Sequence, residues 1–300
     1  MKKFSVIIPT YNEGDWLQKT VLSVLKQTDY PEFDIVVVSD GGNDDSADFL
    51  KKKVFSQVEL IELPESVGAP HARNIGAAAA TGEYFVFIDS HMIPEPNWLQ
   101  ELAAQLEMPN IGAATLKIPD VNDPENVGVV YALGDFTLNP TWGVPREDIS
   151  VQLTPLIPGG CCAITREIWE EIGGFDPGLC RWGREDVELS LKIWARGYDL
   201  STSQNSAIAH YFKEDCNFEI SWDEVIYNIA RIILCFFDDE WRDHFFGEIQ
   251  IDFAAELDSA LKKLSEDSEF LEYQKIQKES LSRDINKYLT EFSEYHSWIT

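Results

Sequence analysis

Short apolar runs alternate with amphipathic stretches through the first 120 residues. Phe4–Ile8, Phe33–Val38, Val58–Leu63, Tyr84–Ile88 and Ile111–Ile118 are brief, rich in β-branched and aromatic residues, and read as strands. Between them, Asp15–Lys26 carries Leu17, Val21, Leu22 and Leu25 at helical spacing. Asp45–Lys53 reads as a second helix capped by Asn43 or Asp44, Ala69–Ala80 as a third made of small residues, and Asn97–Leu106 as a fourth. Strand and helix in strict alternation predict an α/β fold with a mostly parallel sheet covered on both faces. Ligands of such sheets sit at the carboxyl ends of the strands. Thr10-Tyr11-Asn12, Asp40 and Asp89-Ser90-His91 all fall there.

The pattern then changes twice. Residues 120–160 are irregular and rich in Pro and Gly, a long connection of the functional kind. Arg166–Ile172 reads as a short helix, Glu185–Ala195 as an amphipathic one, and Leu200–Ala209 contains a strand that runs into His210. From residue 221 the chain is helical, acidic and free of Pro, with Tyr227–Phe237 and Phe253–Leu264 as packing helices. The expected organisation is an α/β domain over 1–215 and a helical extension over 216–300. The extension can act as an acceptor platform, cover a sheet edge or form a homo-oligomer.

Charge narrows the choice of partners. The 300 residues hold 52 acidic against 24 basic side chains, a formal charge of −28. That excludes a basic nucleic-acid footprint and disfavours anionic membrane. Nothing approaches the ~20 apolar residues of a membrane span, and Phe4–Ile8 is too short for a leader core. Five cysteines, with Cys161 and Cys162 adjacent, suit reduced thiols. The expected location is cytoplasmic.

Candidate chemistry gathers at the strand ends. In an extended segment, residues i and i+2 face one side, so Asp89 and His91 can reach one divalent ion. Oxygen plus imidazole ligands suit Mn²⁺ better than Ca²⁺. Read alone, the pair is weak and reads first as a helix cap beside a surface imidazole. His210 is a third candidate ligand. Asp40 can accept the imide N–H of a uracil or simply shape the turn at Gly41-Gly42. Tyr11 offers a stacking face, Thr10 a hydroxyl, and Arg73 a partner for a phosphate or a carboxylate. Glu185, Asp186 and Glu188 crowd one helix start, where the helix dipole favours carboxylates. One of them can serve instead as general base.

These pieces together resemble the family-two glycosyltransferases of the GT-A fold, a Rossmann-like, mostly parallel sheet flanked by helices. Phe4-Ser5-Val6-Ile7-Ile8-Pro9-Thr10-Tyr11-Asn12-Glu13 is similar to their opening strand and loop. Val36-Val37-Val38-Ser39-Asp40-Gly41-Gly42 is similar to their uracil-binding segment, and Gly68-Ala69-Pro70-His71-Ala72-Arg73-Asn74 to their helix with a phosphate-side arginine. Asp89-Ser90-His91 resembles the Asp-x-His motif of the polypeptide N-acetylgalactosaminyltransferases. Gly173 to Glu185 and His210-Tyr211-Phe212-Lys213 resemble further segments of theirs. The likeness spans residues 4–213.

The resemblance implies a UDP-sugar donor held by Pro9, Thr10, Tyr11, Glu13, Asp40, Gly68, Arg73, Asp89, Ser90, Gly160 and Trp182. It implies a divalent metal, Mn²⁺ favoured over Mg²⁺, on Asp89, His91 and His210. Two positions depart from those transferases. Arg184 stands where they have glycine, and Asp186 where the retaining enzymes have asparagine and inverting relatives have the catalytic aspartate. The expectation is an inverting transfer to a glycan or peptide acceptor, with Asp186 as base and Glu185 binding sugar hydroxyls. The alternatives are retaining transfer of the N-acetylgalactosaminyltransferase type and a non-catalytic sugar-nucleotide binder. A sugar-1-phosphate nucleotidyltransferase is excluded by the acidic, glycine-poor loop after the first strand.

Overall fold

A computed structural model describes residues 2–213 and 217–295. In chain order the elements begin with β1 (Phe4–Thr10), α1 (Asp15–Gln27), β2 (Phe33–Asp40), β3 (Val58–Leu63), α2 (Ala69–Ala79) and β4 (Tyr84–Ile88). They continue with β5 (Met92–Pro94), α3 (Trp98–Leu106), β6 (Ile111–Pro119), β7 (Val127–Gly128), β8 (Val130–Leu133), β9 (Pro140–Gly143) and β10 (Val151–Leu153). Then come β11 (Cys161–Thr165), α4 (Arg166–Ile172), α5 (Glu185–Ala195), β12 (Asp199–His210), α6 (Trp222–Phe236), α7 (Asp239–Glu266), α8 (Ser268–Glu279) and α9 (Ile285–Glu291). The expected boundary at 215/216 lies outside the described residues.

One mixed sheet runs β10-β12-β6-β11-β4-β1-β2-β3. Its β4-β1-β2-β3 half is parallel, with Val6 opposite both Ile35 and Val86. β11 enters antiparallel between β4 and β6. Side-chain alternation sends Phe4, Val6 and Ile8 to one apolar cluster and Ile7 to another. Adjacent Cys161 and Cys162 likewise face opposite clusters, both as free thiols. Their side chains point apart, and burial pushes both thiols up, that of Cys161 to about 12.

Helix α2 lies close on β1 because its packing face is small. A Cβ on Gly76 would come within 2.5 Å of Ile7 Cγ2. The helix starts at Gly68, whose φ of +91° is left-handed and whose missing side chain admits the Arg181 backbone.

Two sequence expectations change here. Asp45–Lys53 forms two short 3₁₀ turns, Asp48–Lys51 and Lys53–Phe55, in place of one helix. Phe49 and Phe55 stack edge-on at 5.1 Å. A continuous α-helix would put residues six apart on different faces, so the chain breaks at extended Lys52. The 120–160 connection also holds four short strands, β7 to β10.

The C-terminal helices share one apolar cluster with Val187, Leu191 and Trp194 of α5. Helix α6 alone contributes Val225, Ile226, Ile229, Ile232 and Ile233, each fully buried. Such a side chain contributes about 1.5–3 kcal/mol when taken from water. A buried charged network reinforces the contact. Arg231 of α6 grips Asp176 at 2.6 and 2.9 Å, and Glu188 of α5 pairs with Lys192 at 2.7 Å and accepts from Tyr273 of α8. Among the described residues, no helix is long and apolar enough to cross a membrane.

Candidate active site

A cavity of about 590 Å³ opens at the carboxyl ends of β1, β2 and β4, facing the start of α5. All the sequence-predicted site residues line it: Pro9, Thr10, Tyr11, Glu13, Asp40, Gly68, Arg73, Asp89, Ser90, His91, Gly160, Trp182, Glu185, Asp186 and His210. Residues as far apart in sequence as Pro9 and His210 thus share one cleft.

Asp89 follows directly on β4, and His210 ends β12 beside Met92 of β5. Ligand atoms of Asp89, His91 and His210 lie within 4.8 Å of one another. Burial would raise the Asp89 carboxyl, but the hydrogen bond from His210 and the charge of Arg73 outweigh it and hold it far below the usual carboxylate range. Burial lowers the His210 imidazole against the pull of Asp89 and so favours the neutral, metal-binding form. A Cβ on Gly160 would stand 3.4 Å from Asp89 Oδ2 and 3.5 Å from His210 Cδ2, so the glycine leaves this cradle open. One carboxylate and two imidazoles around such a gap fit a divalent transition metal.

Glu13 supports the cluster from behind. Its Oε2 lies 3.2 Å from His91 Nδ1, and its Oε1 accepts from Lys213 Nζ at 2.6 Å. Burial raises the Glu13 carboxyl, but His91 and Lys213 together bring it below the ordinary value. The bond fixes the His91 ring and leaves Nε2 for a metal.

Arg73 is almost wholly buried under the cleft floor. Its Nη2 donates to Asp89 at 2.8 Å and to the Gly159 carbonyl, and its Nη1 to Glu185 at 2.9 Å. Glu185 also accepts from the Gly183 amide at 2.9 Å. Both carboxylates are thereby locked in place by a single guanidinium. Asp40 accepts from Val67 N–H at 2.7 Å, Gly68 N–H at 2.9 Å and Ser66 Oγ at 2.8 Å, which ties the turn before α2 to the end of β2. A carboxylate has about four acceptor sites, so one remains toward the cavity. Thr10 Oγ1 is buried beside it with no partner. The Ser90 carbonyl accepts from Thr20, and Trp182 stands at the mouth, 36% exposed and tilted against Phe218.

Asp186 occupies the opposite wall. Burial, then the neighbouring Glu185 charge, push its carboxyl up to about 6 against Arg184, the Val187 amide and Arg73. Gly159 N–H reaches its Oδ2 at 3.4 Å. Gly159 and Gly160 therefore bridge from Asp186 to the Asp89 cluster. Tyr131 lines the same cavity, and burial together with the Asp186 charge raises its phenol well above its usual range. Sequence reasoning missed Tyr131, which lies in the stretch read as irregular, and Lys213 as the partner of Glu13. Neither leaves a local signal.

The sequence profile of glycosyl transferase family 2 matches residues 5–173, and that of the N-terminal domain of galactosyltransferase matches 154–214. The chain is 30% identical over 270 residues to polypeptide N-acetylgalactosaminyltransferase 8 of Drosophila melanogaster, covering 82% of this chain and 45% of that protein. It is 29% identical over 224 residues to O-antigen biosynthesis protein RfbC of Myxococcus xanthus, covering 70% and 17%. It spans half or less of the length of these and the other curated relatives it matches. Among solved structures, GalNAc-T7 with UDP, GalNAc and Mn²⁺ superposes with a TM-score of 0.81 at 23% identity, covering 98% of this chain and 57% of that one. S. aureus TarS 1–349 in complex with UDP-GlcNAc gives 0.60 at 21%, covering 84% and 73%. Both neighbours share the fold.

Proposed function

The chain belongs to glycosyl transferase family 2, a glycosyltransferase of GT-A fold, and from that premise we propose that it moves a sugar from a UDP-sugar to a glycan or peptide acceptor with inversion at the anomeric carbon. One observation carries the inversion: a partly buried Asp186, raised to about 6, faces the metal-ligand cluster across Gly159-Gly160. A carboxylate of that basicity is ionised at neutral pH and basic enough to take a hydroxyl proton.

The roles divide along the cleft. Tyr11, Thr10 and the remaining acceptor site of Asp40 hold the uridine. Asp89, His91 and His210 hold a divalent cation, Mn²⁺ in preference to Mg²⁺, which when bound neutralises charge on the leaving diphosphate. Glu13 holds His91 in register. Arg73 keeps Asp89 ionised and holds both Asp89 and Glu185 in place. Asp186 takes the acceptor proton as the acceptor oxygen attacks the face of the anomeric carbon opposite the leaving group. The Tyr131 phenol supports the charged form of Asp186.

Transfer with retention is the second reading, favoured by the polypeptide N-acetylgalactosaminyltransferase relatives. A panel of UDP-sugars tested with and without Mn²⁺, followed by NMR of the product's anomeric configuration, separates the two. The proposal expects Mn²⁺-dependent turnover and an inverted product. No metal-dependent binding or turnover of any UDP-sugar sinks the donor assignment, and a retained configuration sinks the role of Asp186.

A further inference from the structure

Among the described residues, four cationic side chains are at least nine-tenths buried: Arg73, Arg184, Lys192 and Arg231. Three of them meet carboxylates. Arg73 pairs with Asp89 and Glu185, Lys192 with Glu188, and Arg231 with Asp176. Arg184 forms no ion pair among the described residues, in a chain with more than twice as many acidic as basic side chains. Its side chain makes one hydrogen bond, from Nε to the Thr137 carbonyl at 3.0 Å. Among the described residues neither Nη group has a hydrogen-bond partner, and neither is sealed from solvent, since Arg184 lines the cavity.

The backbone adds an independent observation. Arg184 has φ +69°, in the left-handed region where glycine is the unstrained residue. It is the residue that caps α5, two positions before Asp186. A strained, buried arginine facing a cavity with two free Nη groups is poorly explained by packing. Packing needs only the Nε contact to Thr137. Two parallel Nη donors match the oxygens of a carboxylate or phosphate.

The position selects which substrate carries that anion. The metal-ligand cluster, where the diphosphate leaves, is served by Arg73 on the floor. Arg184 stands two residues before Asp186 on the wall of the same cavity, and the charges it feels there are those of Asp186 first, then Asp135 and Tyr131. Resting on the transferase reading above, we propose that Arg184 is an acceptor-selecting residue, whose free Nη pair binds a carboxylate or phosphate carried by the acceptor close to the hydroxyl that Asp186 deprotonates.

The test uses the full chain loaded with Mn²⁺ and UDP, and phenyl β-glucuronide, phenyl β-glucoside and phenyl β-glucoside 6-phosphate as probes, with affinities read by calorimetry. The expected result is that one or both anionic probes bind about tenfold or more tighter than the neutral one, as a charge-assisted bidentate pair provides. Arg184→Gly, which relieves the left-handed strain and so keeps the fold, removes the preference while UDP affinity holds. Arg184→Lys restores part of it. Equal affinity for all three probes in the wild type overturns the proposal, as does a preference that survives Arg184→Gly. If Arg184→Gly only moves the acidic limb of the pH profile, the arginine tunes Asp186 and selects nothing. If it instead abolishes a preference for UDP-glucuronate over UDP-glucose, the anion belongs to the donor and the proposal is wrong. Failure of UDP to bind with Mn²⁺ is a different result, and it removes the donor reading beneath the proposal.

Discussion

Two aspartates face one another across this cleft, and their surroundings drive them apart. Asp89, at the end of β4, meets Arg73 and two imidazoles and stays ionised far below the usual range. Asp186, at the start of α5, meets burial and the Glu185 carboxylate and rises to about 6. Pairs of carboxylates whose environments separate them in this way divide the work of a site. The low one is a ligand that must never release its charge. The high one is a base that must accept a proton and give it up. Arg73 makes the division possible, because it bridges Asp89 to Glu185 and stops short of Asp186.

The most severe way to break this comparison is to neutralise each aspartate in turn. Asp186→Asn should lower transfer by about 10²–10⁴-fold, the usual contribution of a positioned acid–base group, and leave Mn²⁺-dependent UDP binding intact. Asp89→Asn should abolish that binding. Calorimetric titration of UDP in the presence of Mn²⁺ reads the difference, and equal loss of UDP affinity in both variants would contradict the division. Stability should move oppositely to activity for Asp186. Its folded-state pKa lies above the unfolded value, so the folded form binds the proton between about 4 and 6 and loses stability as pH rises through that window. Asp186→Asn should therefore melt above the wild type at pH 7, with the gap closing below about pH 4.

How much of this was legible in the sequence follows the same division. The low-pKa wall is built from strand ends, and strand ends announce themselves. Asp40 and Asp89 stand at the ends of apolar runs, and the period-two spacing of Asp89 and His91 is visible in the chain itself. What braces both walls depends on contacts between distant residues. Arg73 and Glu185 are 112 positions apart, and Glu13 and Lys213 are 200 apart. Tyr131 sits in a Pro- and Gly-rich stretch that carries no periodicity. The misread helix at Asp45–Lys53 fails for a related reason, because what breaks it at Lys52 is the need to bury both Phe49 and Phe55. The start of the expected helix at Phe253 coincides with a kink in α7, where the Phe253 ring stacks on Trp222 at 5.1 Å. Local patterns record local choices, and the pairing of distant charges leaves no trace in them.

A milder break targets the support behind the metal cluster. Glu13→Gln keeps the shape of the side chain and removes the charge that holds His91 and Lys213. Mn²⁺ affinity should fall about 10–100-fold, the usual effect of losing a partner behind a ligating histidine. Electron paramagnetic resonance of free Mn²⁺ measures this without any turnover. Unchanged affinity would show that His91 is held by its backbone alone.

The pH profile sharpens the other half. Because kcat/KM reports groups of the free enzyme, its acidic limb should fall near pH 6, where Asp186 takes up its proton. Activity is present above that pH and lost as pH falls through it. A limb near pH 4 would mean that the cleft does not raise Asp186. Asp89 contributes no limb in this range, since it stays ionised throughout.

Tyr131→Phe gives the smallest expected effect and the finest resolution of the comparison. The phenol shares the cavity with Asp186, whose charge acts on it, and as a donor to the ionised carboxyl it would work against the burial and the Glu185 charge that raise Asp186. Removing one such donor should move the acidic limb upward by up to about one pH unit, since a unit corresponds to about 1.4 kcal/mol and a hydrogen bond to a charged group is of that order. UDP and Mn²⁺ binding should not change, because Tyr131 makes no hydrogen bond or ring contact to Asp89, His91 or His210 among the described residues. A fixed limb with reduced kcat would place the phenol on the acceptor in preference to Asp186. A downward shift would mean that Asp186 donates to the phenol oxygen as a neutral acid, and the assignment of Asp186 as a base at rest would fail with it.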